Sequence, residues 1–421
     1  IKPYVGNSKY TSPTNIAFSL LAEIAGYKLG LCDVETAKSQ MDAIIGKIDS
    51  LEKYRGNLYN WYEVGSGAKA PPHFVSAVDN GNLLVALAVV CEFYSEQGFD
   101  CDSARSLITD MEFDLYYLKE RGVFAIGYDV DSGRLSGNYD ILASEARLFN
   151  YVASLRTGRI DVWNNLAREC TSLFGNTLLS WSGTAFEYLM PSLFMEEPKM
   201  SLLGTSVRNA FKTQKHNSIN GIFGISESGY YEFDDKLNYQ YHAFGLSSLS
   251  ERNEDDSRVV SSYASIMGVK EDVEAVYRNL KKLESSGMLG EYGFFEALDM
   301  RDGKKRVESY MSHHQGMSLI ALINYLYDDY FKKLFMKYPL VNGGRILLTE
   351  RQIEGKFPKR SKTQILASSK REFEYKEVIA KKSNEVKVNL LYNGKISCLC
   401  DDIGNSFEYA DGRYLGKFRF D

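Results

Sequence analysis

This sequence predicts a mainly α fold, a toroid of helical hairpins followed by a short β-rich segment. Three observations carry the prediction. From about residue 14 to 330, apolar residues recur at helical spacing in one segment after another. The connections between these segments are alternately short and long, and the long ones are rich in Gly, Asn, Asp and Tyr, the pattern of stacked hairpins with function on the loop side. Near the C-terminus the period changes to the alternation of strands. A chain of 421 residues is too long for one bundle core, so a closed ring of helices fits better.

The elements follow in order. Ser12-Pro13-Thr14 starts a helix over 15–31 with Ile16, Leu20, Leu21 and Ile24 on one face. Asp33 caps a second, with Ala37, Met41, Ile44, Ile45, Ile48 and Leu51 on its stripe and Gly56 as the stop. Further helices are expected over 79–97, 102–120, 140–157, 160–173, 184–196, 201–215, 255–268, 270–287 and 311–330. Segments 56–78, 121–139, 217–247 and 288–310 read as loops, with at most a few short strands before residue 340 and no parallel sheet. Residues 352–366 are polar and basic (Lys356, Lys359, Arg360, Lys362) and read as a linker. Beyond it, Glu385 to Leu391 and Lys395 to Cys400 flank Asn393-Gly394, a type I′ hairpin signal. The expected division is therefore a barrel over 1–351, a linker over 352–366 and a β-rich segment over 367–421 that opens a following domain.

Composition narrows the function. Lys plus Arg is 50 against 55 for Asp plus Glu, a formal net charge of −5, and no basic stripe is present to follow a nucleic-acid backbone. The longest apolar run, Leu83 to Cys91, is nine residues against the roughly 20 that cross a bilayer, so no membrane insertion is expected. Ile1 and a polar first turn make the chain read as a piece of something longer. The six cysteines lack any Cys-x-x-Cys pair and read as thiols in a reducing compartment. No phosphate-binding glycine loop is found, so no cofactor is expected. His313 and His314 are adjacent, so on a helix they diverge by about 100° and suit one metal ion poorly. Twenty-nine tyrosines among 13% aromatic residues give flat faces with hydroxyl edges, suited to a wet sugar groove as well as to a helical core.

Several carboxyls lie among small and aromatic neighbours instead of on charged faces. They are Asp79, Asp140, Glu145, Glu187 in Trp181-Ser-Gly-Thr-Ala-Phe-Glu187-Tyr188, Glu227 in Gly224-Ile-Ser-Glu227-Ser-Gly, and Glu296 in Gly293-Phe-Phe-Glu296-Ala. Apolar surroundings raise a carboxyl's pKa toward the range a general acid needs. Any single one could equally cap a helix or bind a buried arginine, but paired carboxyls in an aromatic groove are the equipment of glycosidic bond cleavage or transfer.

The strings Thr11-Ser-Pro-Thr-Asn15, Asn60-Trp61-Tyr62, Val78-Asp79-Asn80-Gly81-Asn82-Leu83, Leu142-Ala-Ser-Glu145-Ala-Arg147-Leu148 and Leu179 to Pro191 stand in order along the chain. With Gly224-Ile-Ser-Glu227-Ser, Gly293-Phe-Phe-Glu296-Ala and Tyr310-Met-Ser-His313-His314-Gln315-Gly316-Met317 they resemble the glycoamylase-like middle domain of bacterial cyclic β-1,2-glucan synthases, over about residues 11–351. The resemblance implies an (α/α)6 barrel and a retaining transglycosylase that closes linear β-1,2-glucan into a ring. Its implied partners are a β-1,2-glucan chain and the other domains of a larger synthase held at the cytoplasmic side of a bacterial inner membrane. Three departures stand out: Ile222-Phe223 where the family usually has Pro-Trp, Asn80 for the usual Ser, and Ala185 where Met is common. The aromatic change at Phe223 is expected to alter a sugar subsite or the balance between cyclisation and hydrolysis.

Retention needs a nucleophile and an acid/base carboxyl roughly 5–5.5 Å apart. Glu227 and Glu145 are the expected pair, with Glu227, in its small-residue loop, the favoured nucleophile and Glu145 held by Arg147 or Tyr139. Expected groove lining is Trp61, Asp79, Asn82, Asp140, Arg147, Trp181, Glu187, Tyr188, Tyr230, Tyr241, Glu296, His313, His314 and Gln315. Hydrolysis by the same carboxyls, or a non-catalytic glucan-holding module, are the competing readings.

Overall fold

The computed structural model describes residues 6–252 and 258–351, together with segments 388–392, 396–401, 406–410 and 413–418. Two compact units divide at Leu366/Ala367. The expected linker and the Asn393-Gly394 turn lie outside the described residues.

In the first unit the helices come in pairs. They are α1 (Pro13–Lys28) with α2 (Val34–Ser50), α3 (Ala77–Gln97) with α4 (Asp102–Asp110), and α5 (Arg147–Thr157) with α6 (Ile160–Asn165). Then follow α7 (Ala185–Leu189) with α8 (Leu202–His216), α9 (Ser262–Met267) with α10 (Val273–Ser285), and α11 (Ser312–Leu326) with α12 (Tyr330–Lys337), before the short α13 (Pro339–Gly343). The first helix of each pair packs on the first helix of the next: α1 on α3, α3 on α5, α7 on α9, α9 on α11, and α11 back on α1. Between α5 and α7 the join is polar, with Arg147 donating to the carbonyls of Glu187 and Tyr188. The result is a closed ring of inner helices backed by outer ones.

Local chemistry explains the pairs. Ser12 accepts from the Asn15 amide and Pro13 takes the first turn of α1, while Asp33 accepts from the Thr36 amide at the start of α2. Outer α10 buries only Val276, Asn279 and Leu283 along one stripe. Inner α3 has no polar stripe, because α1, α4, α5 and α12 surround it. By length and composition α3 is apolar enough to cross a membrane, yet most of it is buried in this core. Close approach of α3 to α5 depends on Gly81, where a Cβ would stand 2.8 Å from the Phe149 Cβ.

The helices are fewer in residues than the sequence suggests. The second half of 102–120 becomes a 3₁₀ turn, Phe113–Tyr116, and a strand, and 160–173 ends its helix at Asn165. Pro191 ends the helix expected over 184–196 after α7, since it cannot donate to the preceding turn. Residues 140–146 are not helical, and Val259–Ser261 is a strand ahead of α9.

The long segments are also corrected. Eighteen short strands precede residue 340 among the described residues, far more than expected, and all pair antiparallel in small two- and three-stranded sheets. The longest hairpin joins Glu227–Phe233 to Tyr239–Ala243. The Tyr and Phe residues that read as loop decoration are strand formers, and Gly and Asn between them supply turns. These hairpins turn what would be floppy connections into fixed walls.

In the second unit Val388–Tyr392, Ile396–Asp401, Ser406–Ala410 and Arg413–Phe418 form a four-stranded antiparallel sheet in sequential order.

Candidate active site

The N-terminal ends of the inner helices meet at one end of the ring. Thr14 of α1 donates its hydroxyl to Asp79 of α3 at 2.6 Å, and Asn15 of α1 meets His313 of α11 at 3.3 Å. Tyr263 of α9 donates to the carbonyl of Glu227 at 2.8 Å, and Ser226 beside it accepts from the Phe186 amide of α7. Helix N-termini favour negative charge, and here they converge on a set of carboxyls.

A cavity of about 350 Å³ opens at this end. Glu145, Glu187 and Glu227 line it with Trp181, Tyr139, Asn138, Ser182, Thr184 and Arg252. Glu145 lies in the non-helical stretch just before α5. Burial, then the charges of Glu187 and Glu227, push its carboxyl up to about 8, against the opposing charge of Arg252. Glu227 begins its hairpin strand, and burial raises it to about 7 although the Tyr241 hydroxyl bonds to its carboxyl; Glu187, Glu296 and Asp79 add repulsion. Glu187 completes a capping box at the start of α7, accepting from the Thr184 amide at 2.8 Å and Ser180 Oγ at 2.9 Å. Burial raises its pKa, and those donors oppose the rise.

Behind Glu227 lies a second buried group. Glu296 accepts from the Gly229 amide and meets His314 Nδ1 at 2.9 Å. Burial pushes Glu296 up to about 7 and both His313 and His314 down to about 3, so the two imidazoles are neutral at ordinary pH.

Other expected lining residues stand elsewhere. Arg147 does not hold Glu145: its side chain is fully buried and binds Glu197 at 2.8 Å. Tyr188 is buried and donates to the Leu178 carbonyl. Tyr230 bonds Gln240 and lies under Arg301, and Gln315 ties α11 to the carbonyl of Phe294. Asn82 donates to Thr14, Trp61 is partly exposed, and neither it nor Asp140 lines the cavity. Phe223 packs edge-on against Phe211 in the core, so it builds no sugar subsite. Asn80, fully buried, holds the backbone of Leu58 at both its N–H and its carbonyl.

Sequence reasoning missed Arg252, which stands over the Trp181 ring at 5.2 Å. It lies in an ordinary polar stretch, Ser250-Glu-Arg-Asn253, with nothing to mark it. Tyr263 was missed because its helix reads as plain core, although its hydroxyl fixes the backbone of Glu227.

Residues 151–339 match the Glycoamylase family model, described as a glucoamylase. The chain carries a glycoamylase-like domain. It is 25% identical over 484 aligned residues to the cyclic β-(1,2)-glucan synthase NdvB of Rhizobium meliloti (strain 1021), across 81% of this chain and 17% of that one. The chain thus spans about a sixth of that relative's length. Among solved structures the chain superposes on the endo-β-1,2-glucanase of Chitinophaga pinensis in complex with sophorotriose and glucose, with a TM-score of 0.69 at 16% identity, covering 82% of this chain and 90% of that one. The endo-β-1,2-glucanase of Talaromyces funiculosus with sophorose gives 0.65 at 14% identity, with 82% of each chain covered. A Bacteroides caccae protein described as a glucoamylase gives 0.67 at 17%, covering 81% and 89%. At these identities the likeness is one of fold, the α/α barrel.

The raised carboxyls make a stability prediction. Glu145 ionises near 4.5 when unfolded and near 8 when folded, so between those values the folded state binds more protons and stability falls as pH rises. Glu145→Gln removes that loss. It is expected to melt above the wild type at pH 8 and level with it at pH 4.5, by scanning calorimetry.

Proposed function

We propose that the glycoamylase-like domain is a retaining glycosidase-type enzyme on β-1,2-glucan, with Glu145 and Glu227 as its two reacting carboxyls. The observation that carries this reading is that both carboxyls line one cavity and are pushed up to about 8 and about 7. Near neutral pH such a pair holds roughly one proton between them. One member can then protonate the departing glycosidic oxygen while the other attacks the anomeric carbon, and the acid, now a base, activates the acceptor hydroxyl. Trp181, with Arg252 over its ring, offers a flat face for a glucose unit. Similarity to a cyclic glucan synthase and the fold shared with endo-β-1,2-glucanases support β-1,2-glucan as the substrate.

The preferred acceptor is a hydroxyl of the same glucan chain, which closes a ring, within a larger synthase held at a membrane by its other parts. The second reading is hydrolysis, favoured by the structural likeness to endo-β-1,2-glucanases. Linear β-1,2-glucan incubated with the protein and analysed by mass separates the cases. Rings weigh one water less than the linear chain of equal length, hydrolysis gives shorter linear chains, and an unchanged substrate overturns the enzyme reading.

A further inference from the structure

We propose that Tyr241, His314 and Glu296 form a chain of hydrogen bonds that carries a proton between the Glu227 and Glu296 carboxyls. The proposal rests on the reading of Glu227 as a reacting group.

The geometry runs through side chains alone. The Tyr241 hydroxyl sits close enough to the Glu227 carboxyl to favour its ionised form, and stands 3.4 Å from His314 Nε2. On the far side of the ring, His314 Nδ1 lies 2.9 Å and 3.0 Å from the two oxygens of Glu296. The imidazole is completely buried and clamped face to face on Tyr263, centroids 3.7 Å apart and 11° from parallel. Tyr241 faces Gly229 across the hairpin, and the Gly229 amide donates to the Glu296 carboxyl at 3.2 Å. Both nitrogens of one immobile imidazole are thus engaged, one toward each carboxyl.

The balance needs no outside reactant. In one state Glu227 is protonated and donates to the Tyr241 oxygen, Tyr241 donates to Nε2, and Nδ1–H donates to the Glu296 carboxylate. In the other, each proton has moved one bond along. Glu227 is then an anion accepting from Tyr241, Nε2–H donates to Tyr241, and protonated Glu296 donates to Nδ1. The imidazole exchanges tautomers and never becomes charged, as its lowered pKa requires. Burial raises both end carboxyls toward neutrality, so either can hold a proton at ordinary pH. Charged and titratable neighbours are Glu187, Asp79 and Glu145 toward Glu227, with Tyr263 beneath and His313 beside His314. During a reaction cycle Glu296 would store the proton that Glu227 releases.

Two variants should move the titration of Glu227 in opposite directions. Tyr241→Phe removes the donor to the anion, so the pKa of Glu227 rises. Glu296→Gln donates an amide N–H to Nδ1, fixes Nε2–H and aims the Tyr241 hydroxyl permanently at Glu227; it also removes a nearby negative charge, so the pKa falls. Shifts of about one pH unit each are expected. The primary readout is the carboxylic-acid stretch of Glu227 followed against pH by infrared difference spectroscopy, assigned by its loss in Glu227→Gln. The glucan pH–rate profile is the second. Because the infrared readout needs no substrate, a protein inert toward glucan but with coupled titration refutes the function and keeps the relay. Shifts in the same direction, or none, overturn the relay. Tyr241 is 44% exposed, so its Phe variant folds even if Glu296→Gln does not, and the absence of an upward shift there is by itself decisive.

Discussion

Replacing Glu227 by Gln is expected to lower turnover of linear β-1,2-glucan by about 10²-fold or more, with folding intact, and Glu145→Gln to do the same. Gln keeps the size and one acceptor of Glu but neither ionises nor gives up a proton. Both side chains face an open cavity, so neither change leaves a void in the core. Products are counted by chromatography, and folding by near-ultraviolet circular dichroism. Azide assigns the roles. In a small-side-chain variant at the nucleophile position, azide attacks the donor directly and gives a glycosyl azide of inverted configuration. At the acid/base position it intercepts the covalent intermediate and gives the retained one. Full activity in Glu227→Gln would move the role to Glu187, which lines the same cavity.

The second large effect is structural. Arg147→Met is expected to destabilise the first unit by about 3–5 kcal/mol, lowering Tm by about 5 °C for a chain of this size. Arg147 is fully buried and its ion pair with Glu197 is almost as deep, at 0% and 4% side-chain exposure. Its guanidinium also satisfies the carbonyls of Glu187 and Tyr188, the last turn of α7. Removing it strands a carboxylate that keeps Ser192 as a donor, and takes the donor from the Glu187 carbonyl in the wall between α5 and α7. The double variant Arg147→Met/Glu197→Met should recover part of the loss, because no unpaired charge remains. A single variant as stable as the wild type would show that the pair contributes nothing to joining α5 to α7.

The helical ring was legible because periodicity is a property of segments, and α1, α2, α3, α8, α10 and α11 keep it for three turns or more. Helix ends and hairpins were not. Pro191 should have stopped the helix over 184–196, and its motif context outweighed its chemistry. Tyr-rich stretches such as 227–243 resemble loops by their glycines and strands by their aromatics, and only the pairing partner decides. Within the site, Glu145, Glu187 and Glu227 stood out because a carboxyl among apolar neighbours is conspicuous in one dimension. Arg147, two positions from Glu145, reads as its holder, yet in sequence a charge looks alike whether it serves a ligand or a wall. Its true partner, Glu197, stands 50 positions away, a pairing set by the three-dimensional path alone. Arg252 sat among polar residues and carried no mark.

The ring closes by packing α1 against α11, elements separated by nearly three hundred residues. On a ribosome this has an order in time. Residues 13–28 emerge first, with Leu20, Leu21 and Ile24 awaiting a cover that is synthesised only after residue 312. At roughly 5–20 residues per second that interval is at least some fifteen seconds. Throughout it the nascent chain is an open arc with apolar ends, and early hairpins can stack but cannot seal. Chaperone capture during synthesis should therefore concentrate on α1 and α3, and cease once α11 has left the exit tunnel.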